Sequence, residues 1–154
     1  MTVTTIRVLD SLKAETATVS KWIMGLKKEG VTPHELGVFV RSAAELDRAR
    51  AAVKDSGLSF KILDEKVETT SGHVSISTMH PAKGLEFRAV VVMACDDEVI
   101  SLQERIETVA DDTDLEEIYN TERHLLYVAC TRARDYLLVT SGDTPSEFLD
   151  DLRV

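Results

Sequence analysis

The chain has 154 residues, enough for one domain with a real buried core. Hydrophobic content of 44% and charged content of 29% are ordinary for a globular protein, and no apolar run approaches the ~18 residues that span a bilayer. A formal net charge of -9 argues against a general nucleic-acid binder, which is normally basic. Met1–Asp10 has no apolar block behind a basic start, so it does not read as a signal peptide. Ile6–Leu9 is a short strand candidate. Val19, Trp22, Ile23 and Leu26 recur at helical spacing, with Gly30 as the stop. Leu36–Val40 is a compact apolar run after Pro33 and reads as a buried strand. Ser42 and Glu45 fit a capping box, opening a helix that runs to about Lys54 and ends at Gly57. Ser59–Leu63 is another strand, and the polar Glu65–Gly72 a loop.

Val74–Thr78 alternates and is β-branched, as a strand should be. A loop through Gly84 leads to Ala89–Ala94, a near-continuous apolar run of the parallel-sheet kind. Leu102, Ile106 and Val109 predict a short helix. Leu115, Ile118, Tyr119, Leu125, Leu126 and Ala129 predict a longer one ending near Arg132. Tyr136–Thr140 is the last strand. Thr144-Pro145-Ser146-Glu147 is a second capping box, opening a terminal helix with Phe148 and Leu149. Cys95 and Cys130 lack metal-ligand or CxxC spacing; they read as buried free thiols of a reducing compartment, the cytoplasm. Strands alternating with helices predict an α/β domain with a mainly parallel sheet. Ligands of such sheets gather outside the carboxyl ends of the strands. Arg41-Ser42, Met79–Lys83 and Asp96–Glu98 all follow predicted strands, so they should share one edge.

Two motif-like stretches are weak. Gly25–Thr32 spaces two glycines like a P-loop, but Val31 stands where a lysine must reach the phosphates, and the stretch ends a helix. Ala89–Asp97 is an apolar strand running into carboxylates, but with no P-loop in the chain a solvated strand end, or a loop facing a neighbouring domain, suits it better. Other segments carry more. Arg41, between a strand and a cap, suits bidentate phosphate binding as well as a plain surface role. In Thr78–Phe87, Thr78 and His80 suit phosphodiester oxygens, Gly84 permits close backbone approach, and Lys83 and Glu86 suit charge and ribose contacts. An ordinary strand–loop–strand connection explains those residue types equally well. Arg132 ends a helix, where the macrodipole favours it, which is the commoner role of a lone arginine there; its functional reading is an arginine finger reaching a γ-phosphate held by another domain. Acidic residues concentrate in Asp96–Glu98 and Glu104–Glu122, away from Lys83, Arg88, Arg132 and Arg134, so a local cationic patch survives screening over ~8–10 Å.

Thr78-Met79-His80-Pro81-Ala82-Lys83-Gly84-Leu85-Glu86-Phe87 resembles motif V of the UvrD/Rep-type superfamily 1 DNA helicases. Glu122–Arg134 contains a stretch that resembles motif VI, and Val38-Phe39-Val40-Arg41-Ser42 resembles motif IV. They come in the family's order and cover about thirty residues. The resemblance implies a RecA-like three-layer domain over residues 1–154, the second motor domain usually called 2A. It implies that ATP and Mg²⁺ are held mainly by a first RecA-like motor domain, an N-terminal partner bearing the P-loop. Arg41 and Arg132 would contact the γ-phosphate, Glu86 with Gly84 would lie at the nucleotide, and Thr78, His80 and Lys83 would touch single-stranded DNA. Arg134 matches less firmly.

This chain has no P-loop, so it should not hydrolyse ATP alone, and it lacks the large inserted subdomain of bigger members. It reads as a C-terminal motor domain, excised or separated from its partner. A different class of reading is a non-catalytic helicase-like domain that docks a protein through its acidic 96–122 region. A third, a nuclease centred on Asp96-Asp97-Glu98, predicts Mg²⁺-dependent DNA cleavage by the isolated chain.

Overall fold

β1 (Val3–Val8) leads into α1 (Leu12–Lys28), β2 (Leu36–Val40), α2 (Leu46–Asp55), β3 (Phe60–Ile62), β4 (Val74–Thr78), β5 (Phe87–Val92), α3 (Asp112–Cys130) and β6 (Ala133–Ser141). The computed structural model describes residues 2–63, 71–79, 86–96, 112–146 and 148–149. The six strands form one sheet in the order β1-β6-β5-β2-β4-β3, and every neighbouring pair is parallel. This is the α/β class predicted from the alternation of elements.

The apolar runs fold as strands covered on both faces. All five residues of β2 are buried, the mark of a central parallel strand. Their side chains alternate between two cores. On one face Val38, Val40, Ile76, Val91 and Leu138 meet Val19, Ile23 and Leu26 of α1 and Ala49, Ala52 and Val53 of α2. On the other, Phe39, Val90, Val92, Leu137 and Val139 meet Leu126, Ala129 and Cys130 of α3, with Phe148 and Leu149. The result is three layers, helix–sheet–helix.

Helix ends follow local chemistry, with two differences from expectation. The Ser11 hydroxyl accepts the Ala14 N–H and starts α1, and Gly30 stops it at a φ of 98° that a side chain would resist. Ser42 precedes a 3₁₀ turn over Ala43–Glu45 but makes no side-chain cap bond. The Glu45 carboxylate goes instead to Arg48 at 3.1 Å, so the expected capping box does not form and α2 begins at Leu46. At the second expected box, Pro145 bridges to Asp96, and it is Ser146 whose hydroxyl accepts the Phe148 N–H. The predicted helix around Leu102–Val109 lies outside the described residues. Cys95 and Cys130 are both buried free thiols; burial pushes Cys130 up to about 12 and Cys95 well above its ordinary value.

Because β5 and β6 run parallel, α3 must travel back between them, from the carboxyl edge of the sheet to the amino edge. Its last turn therefore delivers Thr131 and Arg132 to the amino end of β6.

Candidate functional site

The residues singled out from the sequence divide between two edges of the sheet. Arg41 follows β2 and Thr78 ends β4, and the registered pair Val40 and Thr78 places both at the carboxyl edge. Asp96 follows β5 at the same edge. Glu86 precedes β5 and Arg132 precedes β6, so both lie at the amino edge. The Phe87 N–H donates to the Arg132 carbonyl at 2.8 Å, which sets these two segments side by side. The stretch from Thr78 to Phe87 thus starts at one edge and finishes at the other. His80, Lys83 and Gly84, within it, lie outside the described residues.

At the amino edge most charges are compensated. Arg88 places Nε 3.1 Å from Asp135 and Nη1 4.0 Å from Glu35. Arg134 places Nε 3.3 Å from the other Asp135 oxygen. The hydrogen bond from Arg134, followed by that from Arg88, holds the Asp135 carboxyl below its ordinary range. The Thr32 backbone and hydroxyl do the same for Glu35, with smaller help from Arg88 and Arg134. Glu86 is exposed.

Arg132 is different. It is half-buried; its Nη2 donates to the adjacent Thr131 hydroxyl at 3.1 Å, and its Nε is buried with no hydrogen-bond partner. No carboxylate among the described residues pairs with it. A buried guanidinium N–H without an acceptor is costly, and an arginine fork suits a phosphate or carboxylate better than any neutral acceptor. The placement therefore fits an anion arriving from outside the domain.

At the carboxyl edge Arg41 is only 4% exposed. Its Nε lies 2.9 and 3.1 Å from the two Glu122 oxygens, and its Nη2 lies 2.7 Å from Oε2. Glu122 is on α3 and fully buried. Register fixes the distance from Arg132: Phe39 pairs with Val92, Val92 with Val139, and Phe87 with Ala133. At ~3.3 Å per residue, Arg41 and Arg132 sit on the order of 25 Å apart along the strands. The structure does not bring together the two arginines expected at one γ-phosphate, because they occupy opposite edges and the Arg41 fork faces Glu122.

Asp96, expected to be a solvated strand end or a loop facing another domain, is buried in an ion network. Its Oδ1 accepts the Gly142 N–H at 2.8 Å and its Oδ2 accepts from Arg48 Nη1 at 2.9 Å. Arg48 Nε reaches Glu15 Oε1 at 3.2 Å, and Glu15 Oε2 accepts from the Ala94 N–H and the Thr140 hydroxyl, both at 2.9 Å. Burial alone would lower the Arg48 pKa, but the hydrogen bonds it donates to Asp96 and Glu15 outweigh that and raise it. These satisfied donors explain why a carboxylate at a strand end withdraws from water. Asp97 and Glu98 lie outside the described residues, and no group of three metal-ligating side chains occurs among the described ones.

Sequence reasoning missed Glu15, Arg48 and Glu122 as structural charges. A signal was present for two of them. Glu15 stands four residues before Val19 and eight before Ile23, and Glu122 four before Leu126 and seven before Ala129, so both interrupt the apolar stripe of their helix. A carboxylate in a buried stripe demands a cation; which one follows only from the fold.

Comparison with known proteins shows the family and the fold. Residues 54–144, more than half of the chain, match the UvrD-like helicase C-terminal domain. The ATP-dependent DNA helicase UvrD1 of Mycobacterium leprae is 39% identical over 85 residues, which cover 55% of this chain and 10% of that protein. A probable DNA helicase II homolog of Rickettsia conorii is 30% identical over 116 residues, covering 75% of this chain and 17% of the relative. The chain thus spans only a small part of the curated relatives it matches. Among solved structures, the C-terminal domain of a possible DNA helicase from Lactobacillus plantarum superposes with a TM-score of 0.66 at 22% identity, over 94% of this chain and 76% of that one. It shares the fold. With the parallel three-layer sheet and the matched segment that runs from α2 through β6, the chain belongs to the UvrD-like helicase C-terminal domain family.

Proposed function

We propose that this chain is the second motor domain of an ATP-dependent DNA helicase and completes an ATP site whose P-loop and Mg²⁺ belong to an N-terminal RecA-like motor domain. The observation that carries the reading is Arg132, a half-buried guanidinium with an unpartnered Nε at an edge where Arg88 and Arg134 are already paired with a carboxylate. Cleft closure would bring this fork to the γ-phosphate, where charge grows on the phosphoryl oxygens as the bond breaks. Glu86, just before β5, would meet the ribose, and Gly84 of the same motif would serve the nucleotide. Thr78, at the opposite edge, together with His80 and Lys83 of the same motif, would meet the backbone of single-stranded DNA. The motif V segment, starting at the DNA edge and ending at the nucleotide edge, then joins the two tasks in one stretch of chain. ATP and Mg²⁺ act only in the assembled enzyme.

The test is Arg132→Ala in the full-length enzyme that carries this chain. ATP turnover should fall by about 10³-fold, within the span of arginine-finger effects, with single-stranded DNA affinity nearly unchanged. Wild-type turnover by that variant would sink the assignment.

A further inference from the structure

We propose that β1 is an open strand edge that takes up an extended acidic segment of a partner protein as a further strand of the sheet. The sheet has two outermost strands, and they are built differently. On one side β3 is three residues long and exposes Lys61 at its centre, two features that block pairing with another chain. On the other side β1 runs for six residues in unbroken register with β6 and has no proline, lysine or bulge. Among the described residues no strand covers its outer side. The Leu9 N–H donates to the Ser141 carbonyl, and in a parallel ladder alternate residues face the same neighbour, so Val3, Thr5 and Arg7 serve β6. Thr4, Ile6 and Val8 therefore turn their N–H and C=O groups outward, where only a strand could meet them in sequence. Val3 is 60% and Val8 43% exposed, and the other large apolar side chains that stand most exposed among the described residues, Leu12 and Met24, follow directly on α1.

Charge sets the chemistry of the partner. Residues 1–28 hold Arg7 and the four lysines of α1 against Asp10 and Glu15, a net +3 within a chain whose total is -9. Glu15 is already held by Arg48, and none of those five cations pairs with a described carboxylate. The two faces of β1 also differ. Val3 is in register with Tyr136, which packs into the core beneath α1, so Val3, Thr5 and Arg7 share the face of that helix. Ile6 packs against the opposite core, and Thr4 and Val8 share its face. A segment that alternates acidic and apolar residues suits both faces, its carboxylates on the side of Arg7 and α1 and its apolar groups beside Ile6 and Val8. A second copy of this chain would set one net +3 flank against another. A nucleic acid would satisfy the cations but neither the outward amides in sequence nor the exposed valines.

The probe is a short labelled peptide that alternates Glu and Val, with a Lys–Val peptide of the same length as its counterpart. Both are titrated by fluorescence anisotropy into this chain, which has a complete core on each face of its sheet, and into the full-length enzyme that carries it. The Glu–Val peptide should bind both proteins about tenfold more tightly than the Lys–Val peptide at low salt. In this chain it should slow hydrogen exchange at the Thr4, Ile6 and Val8 amides and leave Thr5 and Arg7 unchanged, the alternation that an added strand imposes. Thr4→Pro removes an outward donor that β6 does not use and should weaken binding by about tenfold. Val8→Lys, which gives β1 the lysine that β3 has, should weaken it similarly, and it carries the test alone if Thr4→Pro does not fold. Arg7→Glu should erase the preference for the acidic peptide. ATP turnover of the full-length variants should stay at the wild-type level. Absent binding, equal binding of the two peptides, or slowed exchange without the alternation overturns the proposal. Three further results overturn it by naming another occupant: a wild-type dimer in sedimentation that Thr4→Pro dissolves means a second copy, peptide binding by this chain but not by the full-length enzyme means a segment of the enzyme itself, and displacement of the peptide by an oligonucleotide through Arg7 means a nucleic acid.

Discussion

Glu15 shows how much of this domain rests on single charged atoms. Its carboxylate is fully buried and meets donors on every side: the Arg48 guanidinium on Oε1, the Ala94 N–H and the Thr140 hydroxyl on Oε2. One of these donors, Ala94, is the described non-glycine residue with a left-handed backbone, at a φ of 58°, so the network also holds a strained turn after β5. Glutamine has nearly the same shape, but its amide NH₂ would face a donor in either orientation. Glu15→Gln should therefore destabilise the fold by about 3–5 kcal/mol, the cost of leaving a buried ion pair broken, read as a lower urea midpoint with an unchanged slope. Arg50, paired with Asp47 on the exposed side of α2, is the contrast: its partner is 88% exposed, and Arg50→Ala should stay within about 0.5 kcal/mol of wild type.

At the scale of elements the tightest fit is between β2 and β5. Gly37 sits in mid-strand, and a Cβ there would lie 2.8 Å from the Phe87 ring, which itself packs edge-on against Phe39 at 5.9 Å. Gly37→Ala should cost about 1–3 kcal/mol by overpacking. Because Phe87 also donates its N–H to Arg132, crystallography of the variant should show the amino edge displaced along with the ring. Such contacts explain what the sequence could and could not disclose. Leu36–Val40 and Val74–Thr78 were legible to the residue, because a buried parallel strand is an unbroken or β-branched apolar run bounded by turns. Gly30 and Gly57 were legible as helix stops, since both take the positive φ that glycine tolerates. The Ser42 box was misleading, because a local pattern competes with a tertiary one and Arg48 took Glu45. Strand order was not legible at all: β6 lies between β1 and β5, and no local signal announces a neighbour more than a hundred residues away. The candidate site was legible as a set of residues, but its division between two edges came only with the topology, and with it the separation of Arg41 from Arg132.

The whole molecule is acidic, with a formal net charge of -9, yet the proposed role sets DNA against one edge of it. The two facts are compatible only if the contact is small and local. Of the described cations at the two strand edges, Arg41, Arg48, Arg88 and Arg134 are each already tied to a carboxylate. Counterion release then limits both affinity and its salt dependence: each neutralised phosphate on a single strand contributes a slope of about -0.7 in log K against log salt. The sheet is covered on both faces by its own helices, which argues that the chain folds by itself and can be measured alone. For the isolated chain the slope with a single-stranded oligonucleotide should be about -2, the value for two to three phosphates, against the steeper slope of a protein that grips six or more. Titration at several salt concentrations by fluorescence anisotropy gives the number directly. Arg132→Ala should leave this slope unchanged, because the proposed reading sets its edge against nucleotide, whereas Lys83→Ala should reduce it by about 0.7. A slope that fell with Arg132→Ala and not with Lys83→Ala would exchange the roles assigned to the two edges.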